Sequence, residues 1–531
     1  MRPIEETLAG LPARISHPVT RRWAVETPDA PALLDDAGRS WSYAEFARAV
    51  ETARDRLAAL GVRPGDRVMI VNENGVALVS LIMAASELDA WAAIVNARLS
   101  ASEIDAIRDH CGARRVLYTV EVSPQAAAHA KRHGAAVEEM GMLGPVGVGS
   151  LNERAEPEPV AADPARQVAA LIYTSGTTGS PKGVMLTHRN LMFVATVSGS
   201  LRALNRTDRV CGLLPISHVF GFASMFLGTM VAGGCLRLMP RFEPAAVLRA
   251  FAEEGLTVFQ GVPAMYAKLL EHMRAAASTG GGERRNWSLR YLSSGGAPLD
   301  QALKDEVEAA FGLTLNNGYG LSESGPTVSQ TRIDAPPRRD CSNGPLLPGI
   351  EARLVDPRTR ATVPSGAVGE LWVRGPGTMK GYYRAPEETA AVIDGEGWLN
   401  TRDLARFDAD GGLWIVGRTR ELIIRSGFNV YPPEVEAALN AYPGVTQSAV
   451  VGRTVADGNE EVVAFVQPAP GVPIDTAALA AFLAERLAPY KRPGEIVLLD
   501  ALPASSTGKI LKHKLAEIAA RGTGSGGPQR D

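Results

Sequence analysis

Apolar positions along the first hundred residues alternate between two periods. Ser42 followed by Glu45 forms a capping box. Behind it Phe46, Val50, Leu57 and Leu60 recur at helical spacing, and Gly61 ends the pattern. Pro64-Gly65-Asp66 predicts a turn, and residues 68–71 are an unbroken apolar run of strand length. A helical stretch at 77–88 and a second apolar run at 92–95 follow. The alternation predicts α/β layers around a mainly parallel sheet, and it resumes from Val168 to about Gly312 with no internal repeat.

From about 349 to 410 the pattern changes to short β-rich runs, such as 369–374, between Gly/Pro turns. This predicts a small β subdomain, about 349–417. After Gly417 helical patterns at 435–439 and 476–487 alternate with strand patterns at 448–451, 462–466 and 495–499. A segment with its own helices and strands is a plausible separate domain. We therefore expect an N-terminal domain over 1–418 and a C-terminal domain over 419–531. Residues 278–285 read as an exposed loop, and the final GTGSGGPQRD has nothing apolar to bury.

Composition narrows the function little. The 531 residues are 45% hydrophobic and 21% charged, as in an ordinary globular protein of more than one domain. A formal net charge of -3 points to neither nucleic acid nor an anionic membrane as partner. No window of 18 uninterrupted apolar residues predicts a spanning helix, and MRPIEETLAG lacks the apolar core of a secretory signal. The 4 cysteines, Cys111, Cys211, Cys235 and Cys341, have no metal-ligand spacing, so a reducing cytoplasmic setting is expected and each reads as a core or loop residue.

Candidate chemistry begins at Tyr173-Thr174-Ser175-Gly176-Thr177-Thr178-Gly179-Ser180-Pro181-Lys182-Gly183-Val184. The run follows the apolar strand pattern 168–172 and precedes a helical pattern at 188–197. Its glycines let backbone N–H groups converge on an anion, its hydroxyls add donors, and Lys182 adds a cation. The spacing of a Walker loop is absent. In this order of residues the loop resembles the phosphate loop of the adenylate-forming superfamily, which holds acyl-CoA synthetases, nonribosomal peptide adenylation domains and beetle luciferases.

The superfamily's other motifs occur in sequence. Leu214-Pro215-Ile216-Ser217-His218-Val219-Phe220-Gly221 resembles the motif whose histidine gates the carboxylate site. Ser294-Gly295-Gly296-Ala297-Pro298-Leu299 resembles the stretch lying along adenine. Asn317-Gly318-Tyr319-Gly320-Leu321-Ser322-Glu323 resembles the motif whose tyrosine stacks on adenine, whose hydroxyl meets phosphate and whose glutamate holds magnesium, with Ser322 in place of the usual threonine. The resemblance implies that Asp403 binds the ribose hydroxyls and Arg418 the ribose and phosphate. It makes Arg420 the hinge, where Asp or Lys is commoner, and Gly427 part of the pantetheine tunnel. Lys509, in Ser505-Ser506-Thr507-Gly508-Lys509, becomes the adenylation lysine.

The resemblance thus implies an ATP-dependent acid–CoA ligase with ATP, magnesium and coenzyme A as its cofactors. Its fold would be a large N-terminal domain of layered α/β sheets with a small β subdomain, plus a small mobile α+β C-terminal domain, as a monomer or homodimer. The catalytic set would be Lys509, His218, Glu323 and Thr178. The nucleotide would meet Thr174 to Gly179, Lys182, Gly295 to Pro298, Asn317 to Gly320, Ser322, Asp403 and Arg418. The acid would be lined by His218, Phe220, Phe222, Ser224, Gly295, Gly320, Pro326 and Thr327. Residues 209–242 contain no Asp or Glu to pair with a substrate ammonium, and no cation lies among the lining residues. An apolar monocarboxylate, aryl or alkyl, is expected. A carrier-protein-loading adenylation enzyme and a luciferase-like oxidative enzyme are the alternatives.

Overall fold

The computed structural model describes residues 3–174, 181–278, 287–364, 366–425, 428–455, 459–504 and 510–521. Its contacts divide the chain into two compact units. The first comprises Met1–Gly296, Val307–Ala352 and Val373–Asn400, and the second Ala297–Glu306, Arg353–Trp372 and Thr401–Asp531.

In the first unit the opening helix runs Tyr43–Ala59 with the expected capping box, Glu45 N–H donating to Ser42 Oγ at 3.2 Å and Ser42 N–H to Glu45 Oε2 at 3.0 Å. It ends at Leu60, and Gly61 follows with φ +83°, a conformation glycine adopts without strain. The strand Arg67–Asn72 is buried at every position and pairs in parallel with Trp91–Asn96 and Arg115–Tyr118. A strand covered on both faces needs no polar side, which is why these runs read as continuous apolar stretches.

Two eight-stranded sheets result. One runs Gly381–Tyr382, Lys182–Thr187, Val168–Thr174, Trp91–Asn96, Arg67–Asn72, Arg115–Tyr118, Pro145–Val148, Ala136–Glu139. The other runs Thr327–Gln330, Leu315–Gly320, Tyr291–Ser294, Val258–Gly261, Arg209–Gly212, Cys235–Leu238, Pro31–Leu34, Ser40–Ser42. Parallel pairs dominate their centres and antiparallel pairs their edges.

One sequence reading needs correction. Lys182, Gly183 and Val184 open a strand, Lys182–Thr187, that pairs antiparallel with Val168–Thr174, so they are not part of the loop itself. The helix His188–Leu201 begins only after this strand. The burial pattern of Lys182–Thr187 alternates imperfectly, with Gly183 and Val184 both buried. A Cβ on Gly183 would lie 3.2 Å from the Tyr173 ring, which occupies that space.

In the second unit Leu413–Arg418 pairs antiparallel with Leu399–Phe407 and sets Asp403 opposite Arg418. Beyond it lies the three-stranded sheet Val445–Thr454, Glu460–Pro468, Glu495–Leu498. Val450, Val462, Ala464 and Val466 pack on one face with Val435, Leu439, Leu479 and Leu483. Ala449, Val451, Val463 and Phe465 pack on the other with Leu515 and Ala519. Two helices thus cover one side and the helix Lys512–Arg521 the other. Cys111, Cys211 and Cys235 are buried, and burial pushes the first two thiols up to about 12. Among the described residues no helix is long and apolar enough to cross a membrane.

Candidate active site

The residues on either side of the glycine- and hydroxyl-rich stretch pair across two strands. Thr174 and Lys182 are cross-strand partners, as are Tyr173 and Gly183. Tyr173 is pinned from below, its hydroxyl 2.9 Å from His110 Nδ1. Ser175, Gly176, Thr177, Thr178 and Gly179 lie outside the described residues, as do Gly427 and Lys509.

Lys182 faces an element the sequence did not single out. Its Nζ stands 5.3 Å over the ring of Tyr382, a cation–π contact. The Tyr382 hydroxyl in turn donates to Glu323 Oε1 at 2.7 Å. Tyr382 occupies this place because the short strand Gly381–Tyr382 adds to the edge of Lys182–Thr187, with Tyr382 opposite Val184. The Glu323 backbone carbonyl accepts from Met379 N–H at 2.8 Å, which fixes the segment further. A cation, an aromatic ring and a half-buried carboxylate are therefore successive neighbours.

That carboxylate fits a magnesium site of one kind. Among the described residues no three His, Cys, Asp or Glu gather to cage a metal. Magnesium keeps most of its waters and needs only one or two protein carboxylates beside substrate phosphates. Glu323, with one oxygen held by Tyr382, matches that requirement.

The motif around His218 leads into an apolar helix. Phe220–Leu227 winds as a π-helix and Gly228–Ala232 continues it as an α-helix. His218 is exposed, and its Nδ1 accepts from Phe220 N–H at 3.3 Å. Gly221 is required here, because a Cβ would fall 2.3 Å from the Pro215 carbonyl oxygen. Phe220 is half-buried and abuts Gly295, where an added Cβ would meet the ring at 3.3 Å and the Gly318 carbonyl at 3.5 Å. Three sequence motifs thus converge at Phe220, Gly295 and Gly318.

Gly320 is tighter still: a Cβ would lie 1.5 Å from the Pro326 carbonyl oxygen. Pro326 and Thr327 are buried beside it. Asn317 is buried, with Nδ2 donating to the Cys341 carbonyl at 3.0 Å. Ser322 is buried in the turn Ser322–Ser324, and Tyr319 is half-buried. Gly296 is exposed with φ +77°, Ala297 half-buried and Pro298 exposed.

In the second unit Arg418 Nε donates to Asp403 Oδ1 at 3.1 Å. Asp403 is buried and Arg418 exposed, so the pair lies at the edge of the interior. Arg420 is exposed between two fixed neighbours. Thr419 Oγ1 donates to Glu370 Oε1 at 2.9 Å, while Glu421 pairs with Lys512 at 3.0 Å. Lys512 also meets Glu436 at 2.8 Å, and these two carboxylates raise its pKa against the opposing, larger effect of burial.

Residues 20–383 match the family model of AMP-binding enzymes, and residues 434–509 that of the AMP-binding enzyme C-terminal domain. The chain belongs to the AMP-binding, adenylate-forming enzymes. Within them it falls in the acyl-CoA synthetase branch. It is 36% identical over 500 residues to a feruloyl-CoA synthase of Amycolatopsis sp, covering 94% of this chain and 98% of that one. It is 34% identical to 4-coumarate–CoA ligase 2 of Oryza sativa subsp. japonica, covering 94% and 91%. ATP-bound MatB of Rhodopseudomonas palustris superposes with a TM-score of 0.82 at 32% identity, covering 95% and 98%. The anthranilate CoA ligase AuaEII with anthranoyl-AMP gives 0.83 at 25% identity, covering 97% and 99%. The protein is accordingly an AMP-forming acid–CoA ligase that takes ATP and CoA.

Against that family frame, two lining residues lie deeper than the sequence suggests. Phe222 is fully buried and stacks on Phe226 at 6.4 Å. Ser224 is buried and accepts from Arg202 Nη1 at 3.0 Å. Ser224 therefore has a cation directly against it, supplied by Arg202 just after the helix His188–Leu201 rather than from 209–242. Tyr382 and Arg202 were both missed because neither lies in a recognised motif. The doublet Tyr382-Tyr383 after a glycine was the only local signal for the former.

Proposed function

We propose that this ligase activates an aryl monocarboxylate. The observation carrying the reading is the contact of Phe220 with Gly295, itself backed by Gly318. Gly295, with no side chain of its own, leaves the Phe220 ring room to lie flat against the backbone, and an aromatic face of this kind suits a planar ring. The feruloyl, 4-coumarate and anthranilate ligases among its relatives agree with this choice. The absence of Asp and Glu from 209–242 disfavours an amino acid, whose ammonium would be desolvated without a partner.

In the first half-reaction the substrate carboxylate attacks the α-phosphate of ATP and pyrophosphate leaves. Both reactants are anions, so the work is positional and electrostatic. Thr174 and Lys182 hold the ends of the loop whose N–H groups, with Thr178, take the β- and γ-phosphates. Glu323, held by Tyr382, would hold magnesium, which when bound would neutralise phosphate charge. Asp403 receives the ribose hydroxyls while Arg418, leaning on it, reaches ribose and phosphate. Lys509 bridges the carboxylate and the α-phosphate and so offsets their repulsion.

In the second half-reaction the CoA thiol attacks the acyl carbonyl and AMP leaves. The lysine must be in place for the first step, and a thiol path must be open for the second. Arg420 is the pivot that allows both, with His218 gating the acid and Gly427 leaving room for pantetheine. The protein acts in the cytoplasm.

ATP–pyrophosphate exchange measured with alkanoates, benzoates, cinnamates and amino acids tests the substrate reading. Exchange is expected with the aryl acids. Exchange confined to amino acids or to alkanoates would refute it.

A further inference from the structure

Ser224 sits one turn beyond Phe220 on the same helix, where the half-buried pocket wall gives way to the interior. Three buried groups meet there. Arg202 is 1% exposed, and among the described residues no carboxylate pairs with it. Its guanidinium instead donates to the Ser198 carbonyl at 3.1 Å, to Ser224 Oγ at 3.0 Å and to the Ser224 carbonyl at 2.8 Å. The Ser198 carbonyl belongs to the last turn of the helix His188–Leu201, whose dipole favours a cation. Burial pushes the Arg202 pKa down to about 10, which leaves it charged at neutral pH.

Gln260 approaches from the neighbouring sheet. It is 1% exposed, and its Nε2 donates to Ser224 Oγ at 3.3 Å. It lies on the strand Val258–Gly261, opposite Ser293, and the next residue, Gly261, accepts from Gly295 N–H at 3.3 Å. Gln260 is therefore next in the chain to the hydrogen-bond partner of Gly295, the glycine that abuts Phe220.

The hydrogen-bond count at this point does not close. Ser224 Oγ accepts from both Arg202 and Gln260, so both its lone pairs are used and its proton is left to donate elsewhere. Gln260 Oε1 is buried with no hydrogen-bond partner. A native interior rarely leaves an amide oxygen in that state, and such a group is a candidate for a ligand contact. One unused donor and one unused acceptor at the same point complement a hydroxyl, which can give one hydrogen bond and take one.

We propose that Gln260 is a specificity-determining residue whose amide oxygen accepts a hydrogen bond from a hydroxyl at the far end of the aryl tail. The same hydroxyl accepts the Ser224 proton. Arg202 is a positioning residue: by occupying one Ser224 lone pair it turns that proton toward the substrate. The inference rests on the aryl reading of the preceding section and adds a polar end group to it. An ether in the same place accepts but cannot donate, so it leaves Gln260 Oε1 unsatisfied.

The test is kcat/KM for CoA-dependent AMP release with cinnamate, 4-methoxycinnamate and 4-hydroxycinnamate. It is run on the wild type, Gln260→Met, Arg202→Met and Arg202→Lys. The hydroxyl preference, read as the ratio of 4-hydroxycinnamate to each of the other two, is independent of how much of a variant is active. The wild type is expected to prefer the hydroxylated acid by about 10–100-fold, the size of one buried hydrogen bond with an otherwise stranded partner. Gln260→Met and Arg202→Met are expected to bring that ratio near one, and Arg202→Lys to restore part of it. A purely structural Arg202 would lower all three acids together and leave the ratio intact, which would overturn its positioning role. A wild-type ratio near one, or a ratio retained in Gln260→Met, overturns the proposal for Gln260. If Gln260→Met does not fold, the wild-type ratios decide alone. A wild type inactive on all three acids but active on alkanoates refutes the aryl reading and this inference with it.

Discussion

Replacing Tyr382 by phenylalanine removes one oxygen and little else. The ring remains, and with it the contact to Lys182 Nζ at 5.3 Å. What is lost is the 2.7 Å hydrogen bond to Glu323 Oε1. A hydroxyl donating to a carboxylate contributes about 1.5–3 kcal/mol net when buried. Glu323 is half-buried, so water replaces part of that, and about 1–2 kcal/mol is a fair allowance. Spent on orienting a metal ligand, this corresponds to about 5–30-fold in magnesium affinity, within the range seen for outer-shell partners. ATP–pyrophosphate exchange titrated with free magnesium reads it directly. The half-saturating magnesium concentration is expected to rise by that factor, while the maximal rate changes less. A half-saturation point unmoved in Tyr382→Phe would falsify the role given to this hydroxyl.

Three further outcomes follow from the geometry. Gly320→Ala places a Cβ 1.5 Å from the Pro326 carbonyl, so the strands Leu315–Gly320 and Thr327–Gln330 must part; a loss above about 3 kcal/mol is expected in urea denaturation, and wild-type stability would contradict the packing. His188 is buried, and burial pushes its pKa from 6.5 to about 3. Below pH 6.5 the unfolded chain therefore takes up a proton that the folded chain refuses, costing about 2 kcal/mol by pH 5. His188→Asn is expected to flatten that part of the urea midpoint–pH curve, and an equal slope in both proteins would refute it. Arg420→Pro is expected to spare pyrophosphate exchange more than thioester formation; equal loss of both would remove Arg420 from the hinge.

How much of this was legible in the sequence varied with the kind of residue. The capping box at Ser42, the buried strand at 67–72 and the helices Pro432–Asn440 and Thr476–Ala484 followed from period and end signals, because local patterns decide them, whereas the helix Lys512–Arg521 was not read. The ordered motifs pointed to adenylate chemistry for the same reason: each is a short backbone feature with its own glycines. The strand Lys182–Thr187 was hidden by Gly183, whose missing side chain is replaced in space by the Tyr173 ring. Arg202 and Gln260 were invisible, since their meaning comes only from what lies across from them. A cation 7 residues before Arg209 in the chain, outside the segment 209–242 that lacks Asp and Glu, becomes the immediate backing of Ser224 once the helices pack. The composition of one segment of sequence therefore does not disclose what packs against it from elsewhere in the chain.

The central claim is that this protein joins an aryl carboxylate to CoA through an acyl-adenylate. Its most direct test is the stoichiometry of one reaction containing purified protein, ATP, magnesium, CoA and a cinnamate. One AMP, one pyrophosphate and one cinnamoyl-CoA thioester per acid consumed are expected, with pyrophosphate exchange but no sustained AMP release when CoA is omitted. Sustained AMP release without CoA, or AMP formed with no thioester, would contradict the account.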